Sequence, residues 1–314
     1  MRIEPVIQGV VARTAHPLGC EQAVLQQIEY VKSAKPITQG PKRVLILGAS
    51  SGFGLAARIA LTFGGAKADT IGVSFERGPS DKGVGSAGYF NNLAFKKQAD
   101  REGRIAININ GDVFSKQVRE QVIEAIETYF EGEVDLVIYS IASGMRRKPG
   151  SEDFWRSAIK PIGEPVSGAA ILLENDKWVD ATLEPANEEE IDSTLRVMGG
   201  EDWEDWIDTL INTESVAQGC KTIAFSYVGP EITHLSTWTV RSAGRKSICT
   251  KPAIRSILNW RILTAVPTRP CVKPRDQSQR IYSRSQPLPA CFVSSHERER
   301  YARRLCRADA SFVQ

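Results

Sequence analysis

Apolar and polar positions along the chain switch repeatedly between two periods. "VLIL" (44–47) is a short continuous apolar run, the mark of a parallel strand buried on both faces. It leads into Gly48, Gly52 and Gly54, after which Leu55, Ala56, Ile59, Ala60 and Phe63 recur at helical spacing. "TIGVSFE" and "RIAININ" read as second and third strands, "VREQVIEAIETYF" as an amphipathic helix, and "VDLVIYSIAS" as a fourth buried strand. Strand and helix in turn predict an α/β fold: a doubly wound parallel sheet of Rossmann type, helices on both faces, with small N-terminal and mid-chain elaborations. Residues 160–220 depart from the alternation, with short strands, an acidic capped helix, and Trp203 and Trp206 on one helical face, where packing is their expected role. "CKTIAFSYVG" predicts a further strand that delivers Tyr227 to the carboxyl edge of the sheet, where its hydroxyl suits a donor to a substrate carbonyl.

The glycine turn is the main chemical signal. A strand, a tight turn and a helix bring backbone N–H groups and a positive helix end to where a pyrophosphate can sit. Three glycines alone also fit a plain structural turn. The second strand, however, ends at Glu76, a little over twenty residues on, where a dinucleotide fold uses a carboxylate to bind the adenosine ribose. That charge repels a 2′-phosphate and favours NADH over NADPH; a solvated strand-end glutamate is the plainer alternative. Asp112, Val113, Ile141 and Ala142 follow other strands and would face the same ligand, though each also fits a simple loop residue.

Charge changes the picture. The chain has 314 residues and a net charge of +3. Residues 1–234 carry 24 Lys+Arg against 33 Asp+Glu, whereas residues 235–314 carry 16 against 4, with four of the six cysteines and six of the sixteen prolines. A basic tail ordinarily suggests nucleic acid or a membrane surface. This one lacks sustained periodicity and is rich in Cys, Trp and Ile, unlike a low-complexity basic arm, so neither partner is expected. Six cysteines without a CxxC pair read as reduced thiols, with no metal site. No basic-then-apolar leader and no membrane-length apolar run occur, which points to the cytoplasm.

"AHPLGCE", "PKRVLILGASSGFGLAARIA", "INGDVFS", "RSAIKPIGEP", "VMGGEDWEDWID" and "FSYVGPEITH" together resemble the trans-2-enoyl reductases, the FabV type of enoyl-[acyl-carrier-protein] reductase and its trans-2-enoyl-CoA reductase relatives. The resemblance covers residues 1–234. It implies a Rossmann-type, usually monomeric enzyme that uses NADH to reduce the 2,3 double bond of an enoyl thioester, on acyl carrier protein or CoA, in fatty acid biosynthesis. Carried over, the cofactor site is Gly48, Ala49, Ser50, Ser51, Gly52, Phe53, Phe75, Glu76, Asp112, Val113, Ile141, Ala142 and Lys246, with Tyr227 at the substrate.

The family also has a Tyr followed nine residues later by Lys, in a segment like "PLYLDGTIGRAK". Thr237 stands where that proton-donor Tyr belongs, while Lys246 falls in place. Residues 235–251 can be written in codons that, read two bases later, give "LYLDGTIGRAKVDLHK", and further windows downstream recover family-like sequence in shifted frames. The expectation is therefore a reductase domain over 1–234, incomplete, and an out-of-frame tail over 235–314 that is not a native domain. Two other readings stay open: a non-catalytic product of a disrupted gene, and a short-chain dehydrogenase, for which the chain offers no Tyr-xxx-Lys step on a strand-to-helix segment.

Overall fold

The computed structural model describes residues 6–8, 11, 12, 14–81, 83–172 and 177–225, which fall into two compact units. The first comprises the described residues up to Gly111 together with Leu172, and the second those from Asp112 to Ile171 and from Lys177 onward.

In the first unit a two-residue antiparallel pair, β1 (Ile7–Gln8) and β2 (Val11–Ala12), precedes helix α1 (Pro17–Ser33). The His16 imidazole caps α1 by accepting from the Gly19 N–H at 3.1 Å, and Pro17 takes the first helical position, where its missing N–H costs nothing. The alternation then runs β3 (Arg43–Leu47), α2 (Gly52–Phe63), β4 (Asp69–Ser74), α3 (Ala87–Arg101) and β5 (Ala106–Asn110). The strands pair in parallel, Val44 opposite Thr70 and Ile71 opposite Ile107. Val44 to Leu47 are wholly buried, as the unbroken apolar run requires. Val24, Ile28 and Val31 of α1, Leu55, Ile59 and Phe63 of α2, and Ala94, Phe95 and Ala99 of α3 meet in one core, with Phe63 and Phe95 edge to face at 5.5 Å.

The second unit begins with α4 (Lys116–Phe130), which Ser115 caps by accepting from the Val118 N–H, and continues with β6 (Val134–Tyr139). A hairpin of β7 (Met145–Arg147) and β8 (Phe154–Arg156) and a two-stranded sheet of β9 (Val166–Leu172) and β10 (Lys177–Leu183) follow. Asn187 and Glu190 form a reciprocal capping box on α5 (Glu188–Met198), the acidic capped helix expected from sequence. Helix α6 (Glu201–Asn212) comes next, and β11 (Val216–Ala224) closes the described chain by pairing in parallel with β6. Trp203 and Trp206 are buried. The Trp206 indole donates to the Val113 carbonyl at 3.2 Å and that of Trp203 to Thr222 Oγ1 at 2.8 Å, so both tryptophans pack and tie down their own unit.

The elements expected from sequence are present, with shifted ends. Helix α2 opens at Gly52, so the turn proper is residues 48–51, and Gly52 and Gly54 lie in the first helical turn. Extended Ser51 provides the N-cap and lets the helix start earlier than the spacing of its apolar residues suggests. The predicted parallel α/β architecture holds. Helices α1 and α3 and the β7–β8 hairpin were not foreseen.

Candidate functional site

The glycine turn is built by the geometry of its strand. Gly48 has φ 92° and Gly52 φ 58°, both in the region a side chain disfavours. The N–H groups of Gly48 and Ala49 donate to the Val73 carbonyl at 2.9 and 3.0 Å, which holds the end of β3 against β4 and sends the chain into α2. Helix α2 has no acidic residue in its first turn, so the helix itself places no negative charge at its positive end. Phe53 is partly exposed and Phe75 largely so, at 80%.

Glu76 is locked to this turn. One carboxylate oxygen accepts from the Ser50 hydroxyl at 2.6 Å and the other from the Ser86 hydroxyl at 2.5 Å. Its backbone is fixed as well: the Glu76 N–H donates to Asn110 Oδ1 at 2.7 Å, and Asn110 Nδ2 donates back to the Glu76 carbonyl at 2.9 Å. Asn91 on α3 donates to the Ser50 carbonyl at 3.0 Å. The turn, the end of β4, the end of β5 and the start of α3 are thus one hydrogen-bonded assembly.

Beneath it lies a buried cation. Arg58, on α2, has no exposed surface; it donates to Thr70 Oγ1 at 3.0 Å, Asn108 Oδ1 at 2.6 Å and the Ile107 carbonyl at 3.0 Å, and stacks over Phe95 at 4.2 Å. Burial pulls its pKa down to about 9. A Cβ on Gly72 would stand 2.5 Å from Arg58 Nη1 and 2.7 Å from Ala49 Cβ, so only glycine lets β4 approach both the guanidinium and the turn.

The remaining predicted residues fall in the second unit or outside the described chain. Asp112 Oδ1 accepts from the Phe114 N–H at 3.0 Å, and its carbonyl accepts from Ser115, an Asx turn that launches α4. Val113 is buried, Ile141 half-buried and Ala142 exposed, just past the end of β6. Tyr227, Thr237 and Lys246 lie outside the described residues. Sequence reading missed Ser86, Gly88, Asn91 and Asn110. The available signal was "GSAGYFNN", a serine and a glycine at the entrance of a segment bearing Phe90, Ala94 and Phe95.

Among the described residues no helix is long and apolar enough to cross a membrane, and no group of three or more His, Cys, Asp or Glu is arranged to hold a metal.

With this geometry in place, the similarities are specific. Residues 2–81 match the NAD(P)H-binding domain of trans-2-enoyl-CoA reductase, and residues 83–244 match the trans-2-enoyl-CoA reductase catalytic region. The chain belongs to the trans-2-enoyl-CoA reductase family. An enoyl-[acyl-carrier-protein] reductase [NADH] of Vibrio cholerae is 77% identical over 238 residues, which are 74% of this chain and 59% of that protein. The corresponding enzyme of Photobacterium profundum is 58% identical over 234 residues. A solved trans-2-enoyl-CoA reductase of Clostridium acetobutulicum, in complex with NADH, superimposes with a TM-score of 0.79 at 34% identity, covering 91% of this chain and 72% of that one. The Treponema denticola enzyme, in complex with NAD, gives 0.77 at 34% identity, covering 92% and 72%. The chain thus spans a little under three fifths of the length of the curated relatives it matches.

Proposed function

We propose that this chain derives from an NADH-dependent reductase of the 2,3 double bond of enoyl thioesters, carried on acyl carrier protein or CoA, acting in fatty acid biosynthesis in the cytoplasm as a monomer, without nucleic-acid or membrane partners. The observation that carries the reading is the bond from Ser50, in the glycine turn, to Glu76 at 2.6 Å: it puts a fixed carboxylate beside an anion-ready helix end, the donor set that suits a dinucleotide without a 2′-phosphate. When bound, NADH would supply the hydride. Gly48, Ala49, Ser50, Ser51, Gly52 and Phe53 would hold the pyrophosphate, Glu76 the adenosine ribose with Phe75 beside it, and Asp112, Val113, Ile141 and Ala142 would complete the site. Lys246 would hold the nicotinamide ribose, and Tyr227 would touch the substrate.

Reduction also needs a proton at the α-carbon, which a tyrosine hydroxyl supplies in this reading. Thr237 in its place is a far weaker acid, and losing a general acid costs about 10²- to 10⁴-fold. We therefore propose that residues 235–314 are translated out of frame, that 1–234 is the retained and incomplete reductase region, and that this copy turns over poorly. Support comes from the alignments with the Vibrio enzymes, which extend over 234 to 238 residues, 74% of this chain. The test is oxidation of NADH dependent on crotonyl-CoA, by the 314-residue chain beside a chain rebuilt to contain "PLYLDGTIGRAK". The rebuilt chain is expected to be at least about a hundredfold faster. Equal turnover would overturn the frame-change reading and make Tyr227 the next proton donor to test.

A further inference from the structure

The first turn of α3 has a hollow that contains the Glu76 carboxylate. A Cβ placed on Gly88 would stand 2.0 Å from Oε1, 2.4 Å from Cδ and 2.9 Å from Oε2, so any side chain there occupies the space the carboxylate now fills. Ser86, the N-cap of α3, makes no side-chain bond to its own helix. Its hydroxyl instead donates to Glu76 Oε2 at 2.5 Å and accepts from the Arg77 N–H at 3.0 Å. A serine at an N-cap ordinarily spends its oxygen on the helix. Here that role is given up, and the carboxylate itself lies at the positive end of the helix, where a negative charge is stabilised. With Ser50 on Oε1 and Asn110 bracketing the backbone, Glu76 has a single position.

We infer that Gly88 and Ser86 are specificity-positioning residues: they form the seat that fixes Glu76 where its charge discriminates between NADH and NADPH. The inference rests on the proposed cofactor site, but it assigns the discrimination to the seat as much as to the carboxylate. An unseated glutamate could swing toward solvent, away from a 2′-phosphate, and the repulsion between two charges falls with both distance and exposure. The seat is testable without wrecking the fold. The atoms a new Cβ would strike belong to the tip of a flexible side chain, so Glu76 yields rather than the backbone, and alanine suits a helix better than glycine.

Dissociation constants for NADH and NADPH would be measured by cofactor fluorescence on the full 314-residue chain, its Gly88→Ala, Ser86→Ala and Glu76→Gln variants, and thermal unfolding would be followed for each. Gly88→Ala is expected to lose about tenfold or more of the NADH preference, as moving a carboxylate several ångströms from a phosphate implies, while melting like the parent. Ser86→Ala should lose a smaller share, and it decides the matter if Gly88→Ala does not fold. If Glu76→Gln shifts the preference while both seat variants keep the parent's, the inference fails and the cofactor site stands. If the parent shows no preference for NADH, or Glu76→Gln leaves the preference unchanged, the cofactor-site reading itself fails and takes the inference with it.

Discussion

Each unit buries a charge, and the two treat it differently. In the first unit Arg58 is wholly enclosed, its three hydrogen-bond partners are neutral oxygens, and the face of Phe95 covers it. In the second unit Asp202 is 2% exposed, accepts from Arg119 at 2.7 Å and from the Tyr139 hydroxyl at 3.0 Å, and belongs to a net of charges. Arg119 also reaches Asp205, and Arg146 pairs with Glu201 and Asp205. A guanidinium satisfied by fixed neutral acceptors is a structural post: the acceptors have no pKa near neutrality, and a planar fork of donors locks β4, β5 and α2 together. A carboxylate among arginines responds to pH. Burial lifts its pKa to about 6, outweighing the attraction of Arg119 and Arg146 and the hydrogen bond from Tyr139. The unit with the glycine turn is thus rigid under its site, and the unit with the acidic helix carries a titrating joint.

The comparison breaks most sharply at Arg58. Arg58→Met keeps much of the volume but strands Thr70 Oγ1 in the interior and takes the donor from two part-buried acceptors, Asn108 Oδ1 and the Ile107 carbonyl. Each unpaired buried polar group costs about 1–3 kcal/mol, and the total expected loss is about 3 kcal/mol or more. Arg58→Lys should recover only a part, because a lysine lacks the fork that reaches three acceptors. Urea unfolding with peptide-resolved hydrogen exchange reads the result, and protection should fall over residues 52–63 and 106–110 while 201–212 is spared. A loss below about 1 kcal/mol would mean that the acceptors find other donors and that Arg58 is no post.

In the second unit the corresponding change is Arg119→Met, which removes the cation bonded to Asp202. Breaking a buried pair from one side leaves a charge uncompensated and costs about 3–5 kcal/mol when nothing replaces the partner. Arg146 remains nearby as a second cation, so about 2 kcal/mol is expected here. Protection should fall over residues 201–212 and leave 52–63 unchanged. Loss of protection in both units would show that the charges are not local devices.

The two units were unequally legible in sequence. Residues 43–63 could be read because an unbroken apolar run and a helical period each have one structural meaning. Glu76 could be placed because its distance from the turn is set by the length of one helix and one strand. Its seat could not. Ser86 and Gly88 lie ten and twelve residues beyond it, across a loop, and nothing in local propensity says that a loop will fold back to deliver a hydroxyl and a hollow. Helix α3 was hidden by its polar residues: Asn91 and Asn92 look like turn formers until they are seen bonding to Ser50 and Ser74. Arg58 gave a signal that passed unread, a lone charge within "LAARIAL" on a helix otherwise apolar. In α6, Trp203 and Trp206 announced their packing role by spacing, but Asp202, one of five acids within eight residues, carried no mark of burial.

The smallest expected effect tests the titrating joint alone. The folded-state pKa of Asp202, about 6, lies above its ordinary value of 3.8, so the folded protein holds a proton there more readily than the unfolded chain. Stability from this group is therefore fully present below the unfolded value and is lost as pH rises through about 6. Asp202→Asn cannot titrate, and an amide resembles the protonated carboxyl in shape and in hydrogen-bonding capacity. The parent's advantage over Asp202→Asn should then grow by about 1 kcal/mol between pH 7.5 and pH 5, because a difference of one pKa unit is worth about 1.4 kcal/mol. The comparison between variants cancels the other carboxylates, which titrate in both proteins. Denaturant midpoints at half-unit pH intervals would trace the curve. A difference that stays flat, or that shrinks toward pH 5, would mean that Arg119 and Arg146 keep Asp202 ionised through this range and that the second unit, like the first, buries a fixed charge.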